Sequence, residues 1–235
     1  MLNLLIVNAD DWGGFRAGTD AIQRCFHEGA ITSATAMVGM ADSERAAEIA
    51  GDIGLPTGLH LNLTQPVDGA GLTPAARERQ RRVCAHFADV RRRRWTVDLR
   101  PSTRRLVRDS IADQFESYVG LYGREPSHVD GHHHVHVCPD VALALPSGTK
   151  VRQTLATGNL HARVKQSWLA RRFRTPDRLV YFSDIGHADE LRAHGAATLE
   201  VMCHPSFPDE LPRLLSDDWI GALPSLPRGT YAQLN

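Results

Sequence analysis

Short apolar runs alternate with stretches of helical periodicity along most of this chain, and that rhythm restricts its fold more than any other feature. Residues 2–7, 32–38, 57–64, 128–135, 179–182 and 198–203 read as strands. Residues 17–28, 43–50 and 103–121 repeat apolar positions at helical spacing, and Gly123 closes the last of these. Strands that alternate with helices pair in parallel through right-handed crossovers. The expectation is therefore an α/β domain whose chemistry gathers at the carboxyl ends of its strands. A length of 235 residues with 42% hydrophobic content suits one domain with a substantial core. Residues 65–100 break the rhythm, opening on Pro66 and Gly69 before a run of arginines. A segment this irregular inside a compact domain is usually functional, so it reads as an insertion forming a lid beside the site.

Charge sharpens that reading. The chain carries 27 Lys+Arg against 27 Asp+Glu, a balance that argues against a dedicated nucleic-acid binder. Twelve arginines and only three acids fall between Arg77 and Arg108, so the neutrality is local compensation between a basic segment and an acidic remainder. No stretch approaches the ~18 consecutive apolar residues of a membrane helix, so no membrane partner is expected. The apolar start runs directly into Asn8-Ala9-Asp10-Asp11 and reads as a first strand. Cys25, Cys84, Cys138 and Cys203 form no CxxC or framework spacing, and the cytoplasm is the expected compartment.

The chemically capable residues fall where the strands end. Asp10 and Asp11 close the first strand; a turn or helix cap explains one such Asp, but two adjacent charges need partners. In Gly58-Leu59-His60-Leu61-Asn62-Leu63-Thr64, strand alternation puts Gly58, His60, Asn62 and Thr64 on one face, which suggests a site or a solvated edge. Asp130-Gly131-His132-His133-His134-Val135-His136 is the strongest local signal, with four imidazoles and a carboxylate in seven residues. If the strand persists, Asp130, His132, His134 and His136 share a side. All four imidazoles cannot hold one ion, but one carboxylate with two His suits a hydrolytic divalent metal. Glu200-Val201-Met202-Cys203-His204-Pro205 places a further His at a strand end. No GxGxxG, Walker A or GxSxG sequence is present, so nucleotide cofactors are not expected.

Taken in this order, these four motifs resemble the YdjC-like carbohydrate deacetylases, a group that includes chitooligosaccharide deacetylases, over residues 5–205. The resemblance implies a distorted (β/α) barrel related to polysaccharide deacetylases, a single divalent metal ion (zinc or magnesium foremost), and removal of acetyl from an N-acetylated sugar. It assigns metal ligation to Asp11, His60 and His132, the general base to Asp10 and the general acid to His204. Asp130 would orient a ligand His, and His133, Asn62 and Arg152 would support the site or contact substrate. A homodimer is a further expectation, since dimers are common in the family. Three departures stand out: Trp12 replaces the usual Phe, Gly131 the usual Ser, and the helix after Cys138-Pro139-Asp140 is short, which affects any role for Arg152. Two rival activities follow from the same residues. A metal-dependent phosphoesterase would also use an Asp/His site, with the arginines holding an anion. A non-catalytic anion or nucleic-acid module would bind through residues 77–108, and a solvated insertion would do neither.

Overall fold

A computed structural model describes residues 1–69, 72–155 and 160–234. The chain opens with β1 (Leu4–Trp12), α1 (Arg16–His27), β2 (Ser33–Ala36), α2 (Ser43–Ile53) and β3 (Thr57–Leu61). Three helices follow, α3 (Pro74–His86), α4 (Val90–Arg93) and α5 (Pro101–Tyr122), before β4 (Val129–Gly131). After α6 (Pro139–Ala144) and α7 (Leu160–Arg172) come β5 (Arg178–Tyr181) and β6 (Thr198–Cys203), and α8 (Glu210–Leu214) and α9 (Asp217–Ala222) complete the series. The strands form one parallel sheet in the order β4-β3-β2-β1-β6-β5. Beyond β4 the arc continues through isolated parallel bridges, Val129 to Val151 and Lys150 to Arg174. The result is a distorted, curled (β/α) barrel, as the motifs implied.

Pleating divides each strand between two environments. Leu5, Val7, Ala9 and Trp12 of β1, Leu59 and Leu61 of β3, and Leu199, Val201 and Cys203 of β6 point outward into the helix-covered core. Leu4 and Ile6 point inward, where Tyr231 and Leu234 of the C-terminal tail close the barrel floor. Above that floor the interior is polar: Asn8, Asp10, Thr35, His60, Asp130, Arg152 and Glu200 are all buried. Gly58 fits because a Cβ there would stand 2.5 Å from the His128 ring.

Three expectations about local structure need correction. Residues 57–64 do not remain a strand, since β3 stops at Leu61. The backbone of Asn62 is clasped there by Gln80 and Gln114, while its Oδ1 accepts from the N–H groups of Thr64 and Gln65. That local side-chain bonding competes with strand continuation. Residues 128–135 also fail to persist as a strand. β4 is three residues long and yields to a 3₁₀ segment, His132–Val137, in which His133 and His134 adopt left-handed φ values of 53° and 54°. Period-two alternation is lost at that point, so His132, His134 and His136 do not share a face. The stretch from residue 65 to 100, expected to be irregular, contains α3 and α4 in place of a continuous loop, with Gln80, Val83 and Phe87 buried.

Candidate active site

β1 delivers two carboxylates to different places. A register shift against β2 between Ala9 and Trp12, with Asp11 at φ 67°, lets adjacent residues aim differently. Asp10 turns into the barrel and Asp11 towards an open cleft at the carboxyl end of the sheet. The cleft occupies about 820 Å³ and is walled by Asp10, Asp11, His60, His132, His133, His134, Tyr181 and His204, among others.

Asp11 meets two imidazoles. Its Oδ1 lies 3.2 Å from His60 Nε2 and 3.1 Å from His132 Nδ1. One donor atom from each of the three residues falls within a 4.8 Å cluster. His60 Nε2 is buried, and despite its nearness to Asp11 it has no aligned hydrogen-bond partner. Its other nitrogen, Nδ1, is 2.7 Å from Asp130 Oδ1, which orients the ring and leaves Nε2 aimed at Asp11. Burial alone would favour neutral His60, but the flanking Asp130 and Asp11 carboxylates prevail and hold its pKa well above the ordinary value. Asp11 is also held far below the carboxylate range: burial opposes this, but the hydrogen bond from His132 and the closeness of the His60 imidazole outweigh it. These carboxylates call for positive charge at the junction of Asp11, His60 and His132. A divalent cation with one oxygen and two nitrogen donors, open on the cleft side, fits the donor set.

Asp10 sits in a different environment. Arg152, fully buried, donates to both its oxygens at 2.6 Å. The same guanidinium reaches Asp130 Oδ2 at 2.7 Å and Glu200 Oε1 at 2.9 Å, and Tyr231 donates to the far oxygen of Glu200. Burial would push Asp10 up, yet Arg152 overrides it and keeps the carboxyl well below its usual range. Glu200, deeper in the barrel, is pushed by burial up to about 7 despite Arg152. Asp10, His60 and Asp130 therefore also cluster, but their counter-cation is already Arg152.

His204, one residue past β6, lines the cleft with Nε2 3.9 Å from Asp10 Oδ2. Its ring stacks on Phe207 at 4.7 Å, and its backbone N–H donates to Glu210 at 2.6 Å. His133 also lines the cleft, with Nδ1 3.1 Å from Thr64 Oγ1. The structure thus brings Asp10, Asp11, His60, His132, His133 and His204 together at the cleft and puts Asp130 behind it. Two residues given a possible substrate contact are not there. Asn62 is buried and shapes the turn after β3, and Arg152 is enclosed behind Asp10. From the segment between α3 and α5, Phe87, Ala88, Val90, Arg91 and Arg94 wall the cleft, and Arg94 donates to the His133 carbonyl at 2.7 Å. Tyr181 and Phe207 escaped the sequence reading, although the strand-end position of Tyr181 was a usable signal.

The family model described as YdjC-like protein matches residues 4–228. The chain is 32% identical over 225 residues to the chitooligosaccharide deacetylase of Yersinia enterocolitica serotype O:8 / biotype 1B, covering 90% of this chain and 85% of that protein. It is 30% identical over 226 residues to the chitooligosaccharide deacetylase of Yersinia pestis (strain Pestoides F), covering 89% and 84%. Among solved structures, a cellobiose-phosphate cleavage candidate from Enterococcus faecalis V583 superposes with a TM-score of 0.73 at 23% identity, over 100% of this chain and 99% of that one. A family 4 acetyl xylan esterase from Clostridium thermocellum, in complex with a cobalt ion, gives a TM-score of 0.51 at 14% identity, over 98% and 89%. These two structural likenesses bear on the fold alone.

Proposed function

The chain belongs to the YdjC-like family, and from that premise we propose that it is a metal-dependent carbohydrate deacetylase removing acetyl from an N-acetylated amino sugar of the chitooligosaccharide type. The observation that carries the reading is the Asp11–His60–His132 cluster beside Asp10 and His204, in one cleft. A divalent ion held by the three would supply Lewis acidity, lowering the pKa of water and polarising the acetamide carbonyl. The chain's own groups supply the proton transfers. Asp10, kept ionised by Arg152, accepts the proton of the attacking water. His204 protonates the departing amine, so the C–N bond breaks to give acetate and a free amino sugar. Asp130 fixes the His60 ring.

The helical segment between β3 and α5 acts as the lid over this site, with Arg91 and Arg94 facing the polar saccharide. No described helix is long and apolar enough to cross a membrane, and all four cysteines are free thiols. Both features fit an enzyme working on a small saccharide in the cytoplasm.

The test is product release from a panel of N-acetylated and phosphorylated sugars, before and after chelation. Acetate that disappears with the chelator and returns with added zinc, cobalt or magnesium supports the assignment. Phosphate release without acetate overturns it in favour of a phosphoesterase.

A further inference from the structure

Four imidazoles lie between His132 and His136, and the chemistry above uses only His132 directly. The left-handed backbone at His133 and His134 sends each ring somewhere different. His134 turns under the carboxyl end of β5, where its Nε2 is 2.6 Å from Tyr181 Oη and the two rings stack at 5.7 Å. Left-handed φ at a non-glycine residue is strained, and such residues persist where the surroundings over-determine them. Here the strained turn delivers His134 to Tyr181.

Both residues wall the cleft. Tyr181 pairs with Met202 across β5 and β6, two positions before His204, so it stands on the same rim as the proposed proton donor. Resting on the deacetylase reading, we propose that Tyr181, oriented by His134, is a substrate-positioning residue whose hydroxyl hydrogen-bonds a neutral ring hydroxyl of the N-acetylated sugar.

The geometry of the pair suits positioning: the hydrogen bond and ring stacking with His134 hold the Tyr181 ring at the wall of the cleft. Tyr181 lines the cleft, and its hydroxyl keeps hydrogen-bonding capacity beyond the one bond to His134. A neutral saccharide hydroxyl, itself both donor and acceptor, satisfies either tautomer.

Tyr181→Phe and His134→Asn test this, Asn being chosen because it tolerates left-handed φ. A hydrogen bond between neutral groups contributes about 0.5–1.5 kcal/mol, or roughly two- to twelvefold in affinity. Each variant is expected to raise KM for N,N′-diacetylchitobiose about fivefold, with kcat within about twofold of wild type. The double variant should be no worse than either single one, because the two residues act on one contact. Among monodeoxy analogues of the sugar, one should show no difference between wild type and Tyr181→Phe. An unchanged KM, a loss confined to kcat, or additive losses in the double variant would overturn the proposal while wild-type acetate release leaves the deacetylase reading intact. Calorimetric titration of the same sugar separates the two ideas. Binding without acetate release, weakened by Tyr181→Phe, sinks the deacetylase reading and keeps the contact; no binding at all sinks both.

Discussion

Two acid–imidazole clusters meet at His60, and they differ in what balances their charge. On the inner side, Asp10 and Asp130 face His60 with Arg152 wedged between the carboxylates. On the cleft side, Asp11 faces His60 and His132, and among the described residues no guanidinium is paired with it. The inner cluster is buried and supplied with its own cation. The outer one is partly open and short of positive charge. Similar residue types in similar spacing thus have opposite uses: the first holds Asp10 beside a guanidinium, and the second offers the donor set to which the proposed function assigns a metal.

Arg152→Met would break the comparison most severely. It strips the cation from Asp10, Asp130 and Glu200 at once. Removing one partner from a buried ionic cluster costs about 3–5 kcal/mol. The expected outcome is a large drop in the denaturant midpoint, read by circular dichroism; an unchanged midpoint would show that the interior is wetter than its burial implies.

Substitutions of the two aspartates of β1 should then separate the clusters. Asp11→Asn or His132→Ala should abolish both metal uptake, measured by titration with cobalt or zinc, and turnover. Asp10→Asn should keep the metal and lose about 10²–10⁴ in kcat, the usual contribution of a general base. Equal metal loss in Asp10→Asn and His132→Ala would mean that the clusters are not distinct. Asp130→Asn touches both sides through His60 and Arg152, and second-layer partners of this kind typically contribute 10–100-fold in metal affinity.

The smallest effect expected is on acid stability, from imidazoles outside both clusters. His128 and His136 are fully buried, and their pKa values are driven well below the ordinary 6.5, in both cases chiefly by burial, with Arg152 adding at His128 and His134 at His136. The folded-state values are depressed, so the unfolded chain binds more protons below pH 6.5. Their contribution is complete above that pH and is lost as the pH falls. His136→Leu should flatten the decline of the urea midpoint between pH 6.5 and 5, and an unaltered slope would place the acid sensitivity elsewhere.

Much of the site was legible because strand-end chemistry is written locally. An apolar run ending in Asp10-Asp11, His60 inside an alternating run, and the His-rich motif after Asp130 each announce a carboxyl end without reference to the rest of the chain. Strand length was the weak point. Alternation carries no information about where a ladder stops, so it puts Asn62 on one face with His60, whereas its side chain in fact caps a turn. His134 was likewise aligned with His132 because nothing in a run of imidazoles reveals that two of them take left-handed φ.

What the sequence determined by itself is the parallel α/β alternation, the polar residues at the strand ends and the family to which the motifs belong. These follow from period-two and helical patterning and from residue chemistry, which are properties of short stretches. Only the tertiary structure decided which carboxylate faces the cleft and which faces Arg152, because a one-residue irregularity in β1 aims Asp10 and Asp11 in different directions. Arg152 stands 142 positions beyond Asp10 in the chain, and its charge acts on that carboxylate because barrel closure brings the two to 2.6 Å in a buried interior. Coulombic interactions depend on distance through space and on the surrounding dielectric, and neither can be read along a chain.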